Sequence, residues 1–130
     1  MPSTDQAVRS SIEDVDDAVG KLRIDYRRAG FQGIHTGAVP FGRFGNLVGS
    51  EVTAEQRIDV GNTGEYVSVR HTFVVTCTGF GCTDPVAEVA TRNLIFDCDH
   101  GDITEEGRLA ARKQAQAHAE TCRALPRTTA

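Results

Sequence analysis

No apolar run in this chain approaches the ~20 residues a helix needs to cross a bilayer, so no membrane-spanning helix is expected. The N-terminal stretch, MPSTDQAVRSSIEDVDD, lacks both the basic start and the apolar core of a secretory signal. A cytoplasmic location and no membrane partner are the expectation. Basic excess is missing too. The formal net charge is −4, and residues 1–30, 31–76 and 77–130 carry about −1, −1 and −2 each, so no segment is a basic module. Such a field opposes the salt-driven approach to phosphate on which nucleic-acid binders rely. Catalytic signatures are lacking as well: there is no Ser/His/Asp set, no nucleotide loop and no HExxH helix. The chain is therefore read as no enzyme. Without repeats, low-complexity tracts or a linker, residues 1–130 read as one domain, with residues 1–30 as an N-terminal helix and 31–126 as a sheet plus C-terminal helix.

What is present is an ordinary globular composition, 39% hydrophobic and 25% charged, enough for a core at this length. Twelve of its 14 basic residues are Arg, a bias that fits a high-G+C genome. Residues 5–29 carry apolar side chains at Val8, Ile12, Val15, Val19, Leu22 and Tyr26, spaced 4, 3, 4, 3, 4. That heptad-like stripe predicts a helix started near Ser3 or Thr4 and stopped by Gly30. The stripe is narrow, so two roles compete for it: packing on its own sheet, or self-association and docking on a protein partner.

Residues 31–49 are rich in Gly and turn formers and read as a loop with one short strand at most. Its segment Pro40-Phe41-Gly42-Arg43-Phe44-Gly45-Asn46 places two Phe where they would cover the end of a core more readily than stack on a nucleobase. Strands are predicted at 50–60 and 65–77, joined by Gly61-Asn62-Thr63-Gly64 as a hairpin, and at 86–96. An Ala-rich helix is predicted over 105–125, capped by Asp102 or Thr104 and ended by Pro126. The fold class is α+β: an N-terminal helix, a three- to four-stranded antiparallel sheet, and a C-terminal helix packed on it.

The chemical signal lies in the cysteines. Four Cys in a chain read as intracellular point to metal or redox chemistry before structural disulfides. Cys77-Thr-Gly-Phe-Gly-Cys82 is C-x4-C and His118-Ala-Glu-Thr-Cys122 is H-x3-C, both ligand spacings of structural zinc sites. Gly79 and Gly81 let the loop turn two thiolates to one point, and a helix would project His118 and Cys122 from one face. The 35 residues between the pairs are many for a finger. A strand leaving the cysteine loop and a helix returning antiparallel to it close that distance. Cys77, Cys82, His118 and Cys122 are thus the predicted ligands of a structural zinc, with Cys98 outside at the far end of the strand. A Cys77–Cys82 disulfide, or plain buried thiols, are the alternatives.

Asp97-Cys98-Asp99-His100-Gly101-Asp102 sets a thiol near an imidazole, but nearness in sequence does not make a nucleophile–base pair. It reads as a polar loop with Asp102 as helix N-cap. His35 and His71 have no partner at a ligand spacing and read as ordinary polar residues. Arg108, Arg112, Lys113, Arg123 and Arg127 are the set that would serve a nucleic-acid-binding regulator, the runner-up function.

The ending AQAHAETCRALPR resembles the C-terminal helix of small Cys/His proteins of actinobacteria and their phages, which carry an HAxxC-like helix after an upstream Cys pair. The resemblance spans roughly residues 70–126. It implies a zinc-finger-like module of a high-G+C bacterium or an actinophage, and no particular reaction. The expected function is protein contact: a structural or accessory component of an assembly, a virion or a phage-encoded host-interaction factor among them.

Overall fold

The fold is described by a computed structural model for residues 4–62, 67–80, 82 and 86–123, with side chains from Ile12 onward except Asn62. Its elements are α1 (Thr4–Arg28), β1 (His35–Gly45), β2 (Glu51–Asn62), β3 (Val67–Cys77), β4 (Val86–Ile95), α2 (His100–Ile103) and α3 (Glu105–Thr121). The strands form one antiparallel meander in the order β1-β2-β3-β4. The expected helix–sheet–helix architecture is the one found. The tip of the β2–β3 hairpin, Ser3, the Val8 side chain, Gly81, Pro126 and Arg127 lie outside the described residues.

Alternation along the strands decides which face is covered. On β2, Val52, Ala54, Gln56, Ile58 and Val60 are buried, and on β3 so are Val69, His71, Phe73, Val75 and Cys77. Helices α1 and α3 lie over this one face. Thr36, Arg57 and Arg70 on the opposite face are exposed, the usual arrangement of an antiparallel sheet solvated on one side.

Two apolar clusters divide the covered face. In the first, Val15, Val19, Leu22 and Tyr26 of α1 pack on Val39, Ile58, Val60 and Val69. Val15, Val19, Leu22 and Tyr26 are therefore core: of the two roles weighed for the stripe, packing on its own sheet is the one found, and the expectation that these four side chains dock a partner is corrected. Ile12, the second residue of the stripe, is half-buried. Gly30 stops α1 with φ +67°, and the amides of Gly30 and Phe31 donate to the carbonyls of Arg27 and Tyr26. This double closure satisfies helix-end carbonyls, and Phe31 completes it by packing edge-on to Tyr26 at 5.7 Å.

In the second cluster α3 lays Ala111, Ala115 and Ala119 against Val52, Ala54, Phe73, Val75 and Cys77, with Phe41 and Phe44 closing the edge. Alanines four apart let the helix sit close to the sheet, and Gly107 extends that close approach. A Cβ there would stand 2.4 Å from the Phe73 ring, which is itself buried and has nowhere to swing. Gly107→Ala would raise helix propensity elsewhere. Here it is expected to destabilise by about 1–3 kcal/mol through overpacking, a loss that the urea midpoint of the purified variant would record.

Three boundaries differ from expectation. Residues 35–45 form a full edge strand, because Pro and Gly are tolerated where a strand has only one neighbour; the ladder shifts register between Pro40 and Gly42. Residues 97–104 contain the short helix α2, so Asp102 sits inside a helix and caps nothing; Asp99 and Thr104 hold the cap positions of α2 and α3. Finally α3 ends at Thr121, and Cys122 follows in extended conformation (φ −73°, ψ 129°).

Candidate metal centre

The four predicted ligand residues converge. Cys77 ends β3, Cys82 lies in the loop beyond it, His118 is in the last turn of α3 and Cys122 is the residue after it. Their donor atoms all lie within 4.8 Å of one another. Cys77 Sγ is 3.9 Å from Cys122 Sγ, Cys122 Sγ is 4.0 Å from Cys82 Sγ, and Cys82 Sγ is 3.4 Å from His118 Nε2. Bonds of about 2.3 Å to sulfur and about 2.0–2.1 Å to nitrogen at tetrahedral angles put S–S edges near 3.8 Å and S–N edges near 3.6 Å. The observed edges match both. Four protein donors at these separations can bind a metal ion.

Local structure explains the convergence. Thr78 fastens the loop to the sheet: its amide and hydroxyl both donate to the Glu51 carbonyl, at 2.9 and 3.1 Å, and its hydroxyl accepts from the Glu51 amide. The Gly79 amide then donates to Cys77 Sγ at 3.4 Å, and Cys82 N–H closes a turn on the Gly79 carbonyl. On the helix side the Cys122 amide donates to the His118 carbonyl at 2.7 Å, so leaving the helix still holds the thiol beside the imidazole. Burial, with two more thiols alongside, pushes the Cys77 thiol up to about 11 against the pull of the Gly79 amide. The Cys77 thiol therefore keeps its proton until a cation compensates its charge.

Cys98 stays apart, as expected. It lies beyond β4, its thiol reaches the Ile95 carbonyl at 3.5 Å, and burial raises its pKa. His100 does not serve it, because both imidazole nitrogens are engaged elsewhere. Among the basic residues named for nucleic acid, Arg108 is fully buried and Arg112 is half-buried, donating to the Phe41 carbonyl with its guanidinium over that ring. Arg108 is therefore out of reach of a phosphate.

A second constellation was not legible in the sequence. Between the two apolar clusters runs a buried polar layer of Gln56, His71, His100, Thr104 and Arg108. Its hydrogen bonds have one direction, set by Arg108. A guanidinium only donates, so the bond from Arg108 Nη1 to Gln56 Oε1 (3.0 Å) fixes which end of the amide is oxygen. Gln56 Nε2 then donates to His71 Nδ1 at 2.8 Å. With that nitrogen accepting, His71 Nε2 carries the proton and donates to His100 Nδ1 at 2.9 Å, and His100 Nε2 donates to the Phe96 carbonyl at 3.1 Å. Thr104 Oγ1 accepts from Arg108 Nη1 and donates to the His100 carbonyl, while Arg108 Nη2 donates to the Gly101 carbonyl. Arg23 holds the same Phe96 carbonyl from α1, and Asp16 accepts from the Gly101 amide. Both imidazoles are thus neutral Nε2–H tautomers.

The layer makes stability depend on pH. Burial, with the adjacent His100 ring and the charges of Arg108 and Arg92, lowers His71 from 6.5 to about 3, and burial lowers His100 too. Between pH 6.5 and 3 the unfolded chain binds protons that the folded chain refuses. Stability is therefore full above 6.5 and is lost as pH falls toward 3. With zinc kept saturating, the urea midpoint at pH 5 should correspond to a loss of about 2 kcal/mol relative to pH 7. An unchanged midpoint would show that these histidines titrate normally. The only sequence clue was the alternation that put His71 on the apolar face of β3.

Among the described residues no helix is long and apolar enough to cross a membrane. Comparison with protein families, with curated proteins and with solved structures finds no match to this chain.

Proposed function

We propose that the chain is a non-catalytic structural or protein-contact module whose fold is fastened by one zinc ion held by Cys77, Cys82, His118 and Cys122. The observation that carries this reading is the gathering of three sulfurs and one imidazole nitrogen, from two distant parts of the chain, within 4.8 Å of one another, with three of the edges at tetrahedral length. Thiolate and imidazole donors suit zinc, and four protein ligands leave no position for a substrate or water. Bound there, zinc would tie the end of α3 to the loop after β3 and close the open end of the second apolar cluster. That the densest polar cluster is buried supports a non-catalytic role, since no substrate reaches it. The acidic balance favours a protein partner over nucleic acid. The resemblance of residues 70–126 to actinobacterial and phage Cys/His proteins supports an accessory place in an assembly such as a phage particle.

Cobalt(II) substitution tests the site. Titration into reduced, metal-free protein should give the visible bands of a tetrahedral thiolate complex, saturating at one equivalent and bleached by zinc. Weak octahedral-type bands, or saturation unchanged in Cys122→Ser, would refute it.

A further inference from the structure

Strand β1 is an edge strand, paired only with β2, and beside it α1 leaves a trench of about 700 Å³. One wall is α1, where Asp14, Asp17, Lys21 and Asp25 recur at three- and four-residue steps and so share a face. The other wall is the strand itself, residues 36–40. Leu22 supplies an apolar floor. A second concavity, of about 560 Å³, on the solvated face borders Thr36, Gly37 and Ala38 and is lined also by Arg57, Asp59, Arg70, Thr72 and Glu88, so its charges balance. Hollows thus meet the same three residues of the edge.

The backbone chemistry of this edge follows from Pro40. Proline has no N–H, so in a ladder with a single neighbour it belongs where its nitrogen faces the open side. In an antiparallel strand the residues at two-residue intervals share that direction. Ala38 and Thr36 therefore turn N–H and C=O outward, and all of Thr36, Ala38 and Pro40 are exposed. Such a row accepts an added strand. The α1 wall carries three carboxylates to one ammonium, which selects the charge of what is added.

We propose that the α1–β1 trench takes an extended, basic peptide segment of a protein partner as a fifth strand beside residues 36–40. Its backbone pairs with Thr36 and Ala38, and alternate Lys or Arg side chains face Asp14, Asp17 and Asp25. The residues between them point to the opposite, solvated face of the sheet, over the second hollow. This rests on the reading of the chain as a protein-contact module and names the partner's chemistry; the metal centre, at the opposite end of β2, takes no part in it.

The test uses the whole zinc-loaded protein and an alternating Lys-Val peptide, read by amide chemical shifts. Shifts should concentrate at residues 36–39 and along 14–25 of α1. Affinity should fall about tenfold or more in the combined variant D14N/D17N/D25N and weaken with added salt. A Glu-Val peptide should not bind, and replacing the central Val of the probe by Pro should abolish binding by blocking the ladder. Equal binding of the acidic peptide, equal binding to the triple variant, shifts on another surface or no binding at all would overturn the proposal. So would a concentration-dependent dimer that buries the same edge, since its occupant would then be a second copy. Zinc stoichiometry of the same sample is measured alongside. Failure of docking with one zinc bound refutes the trench alone, whereas loss of zinc from a folded chain refutes the staple.

Discussion

His118→Ala is expected to abolish stoichiometric metal binding and lower the thermal midpoint by about 10 °C. The magnitude follows from linkage. Zinc at a hundredfold excess over its dissociation constant stabilises the folded state by about 2.7 kcal/mol, and for a domain of this size 1 kcal/mol corresponds to roughly 3–5 °C. His118 is the best ligand to remove because its side chain is only half-buried, so little packing is lost with it. Cys77 would be a poorer choice, being buried in the second apolar cluster. The control is a cycle: after zinc is stripped by a chelator, wild type and His118→Ala should melt together. If the variant stays less stable without metal, the imidazole acts through packing, and the staple is not what it contributes.

Arg108→Ala is expected to be among the most damaging single substitutions outside the metal centre, by about 3–5 kcal/mol in urea denaturation. The change empties the space of a large buried side chain and leaves the acceptors Gln56 Oε1 and Gly101 O without their donor. One effect opposes this loss. Burial holds the guanidinium pKa down, with the Arg112 charge adding to it, so removing the charge relieves some desolvation cost. Arg108→Met separates the two contributions. It retains volume, relieves the charge and loses only the hydrogen bonds, so it should cost about half as much. It should also release the order of the layer, since nothing then compels Gln56 to present Nε2 to His71. Imidazole nitrogen shifts should report Nε2–H tautomers for His71 and His100 in the wild type and a mixture in Arg108→Met. A wild type with Nδ1–H at either histidine would contradict the direction of the chain.

The parts of this fold that local pattern specifies were legible in the sequence. The stripe of α1, the alternation on β2 and β3 and the Ala-rich period of α3 each carry one dominant periodicity, and those elements lie where expected to within a few residues. β1 was hidden because edge strands tolerate Pro and Gly, which read as loop. The narrow stripe of α1 left two roles open because Ala18 and the sheet widen its contact only in three dimensions. Convergence of the four donor residues could be argued from length alone, a strand out and a helix back, even across 35 residues. The buried layer could not. His71 lies 29 residues from His100 and Arg108 lies 52 from Gln56, and no spacing rule joins them. Arg108 looks like any surface arginine of an Ala-rich helix until the sheet register places Gln56 beneath it.

The two devices divide the task of fixing α3. The polar layer anchors its first turns to β2 and α2 through Thr104 and Arg108, and the Cys/His cluster gathers its last turn beside the end of β3 and the loop after it, where a bound metal would fasten it. Small side chains between them allow the helix to lie close but contribute little area each, so the ends matter more than in a leucine-rich helix. Loss of the metal should therefore free the C-terminal turns first and leave α1 and its cluster in place.

The most direct test of the central claim is native mass spectrometry of protein purified under reducing conditions, before and after a strong chelator, with far-ultraviolet circular dichroism on the same samples. The account predicts one zinc per chain, retained in the gas phase, and a chain that loses ordered helix when the metal is stripped. A metal-free chain that is fully folded and indifferent to the chelator would contradict it. Cys77, Cys82 and Cys122 would then be core thiols, and the fold would rest on its two apolar clusters and the buried layer between them.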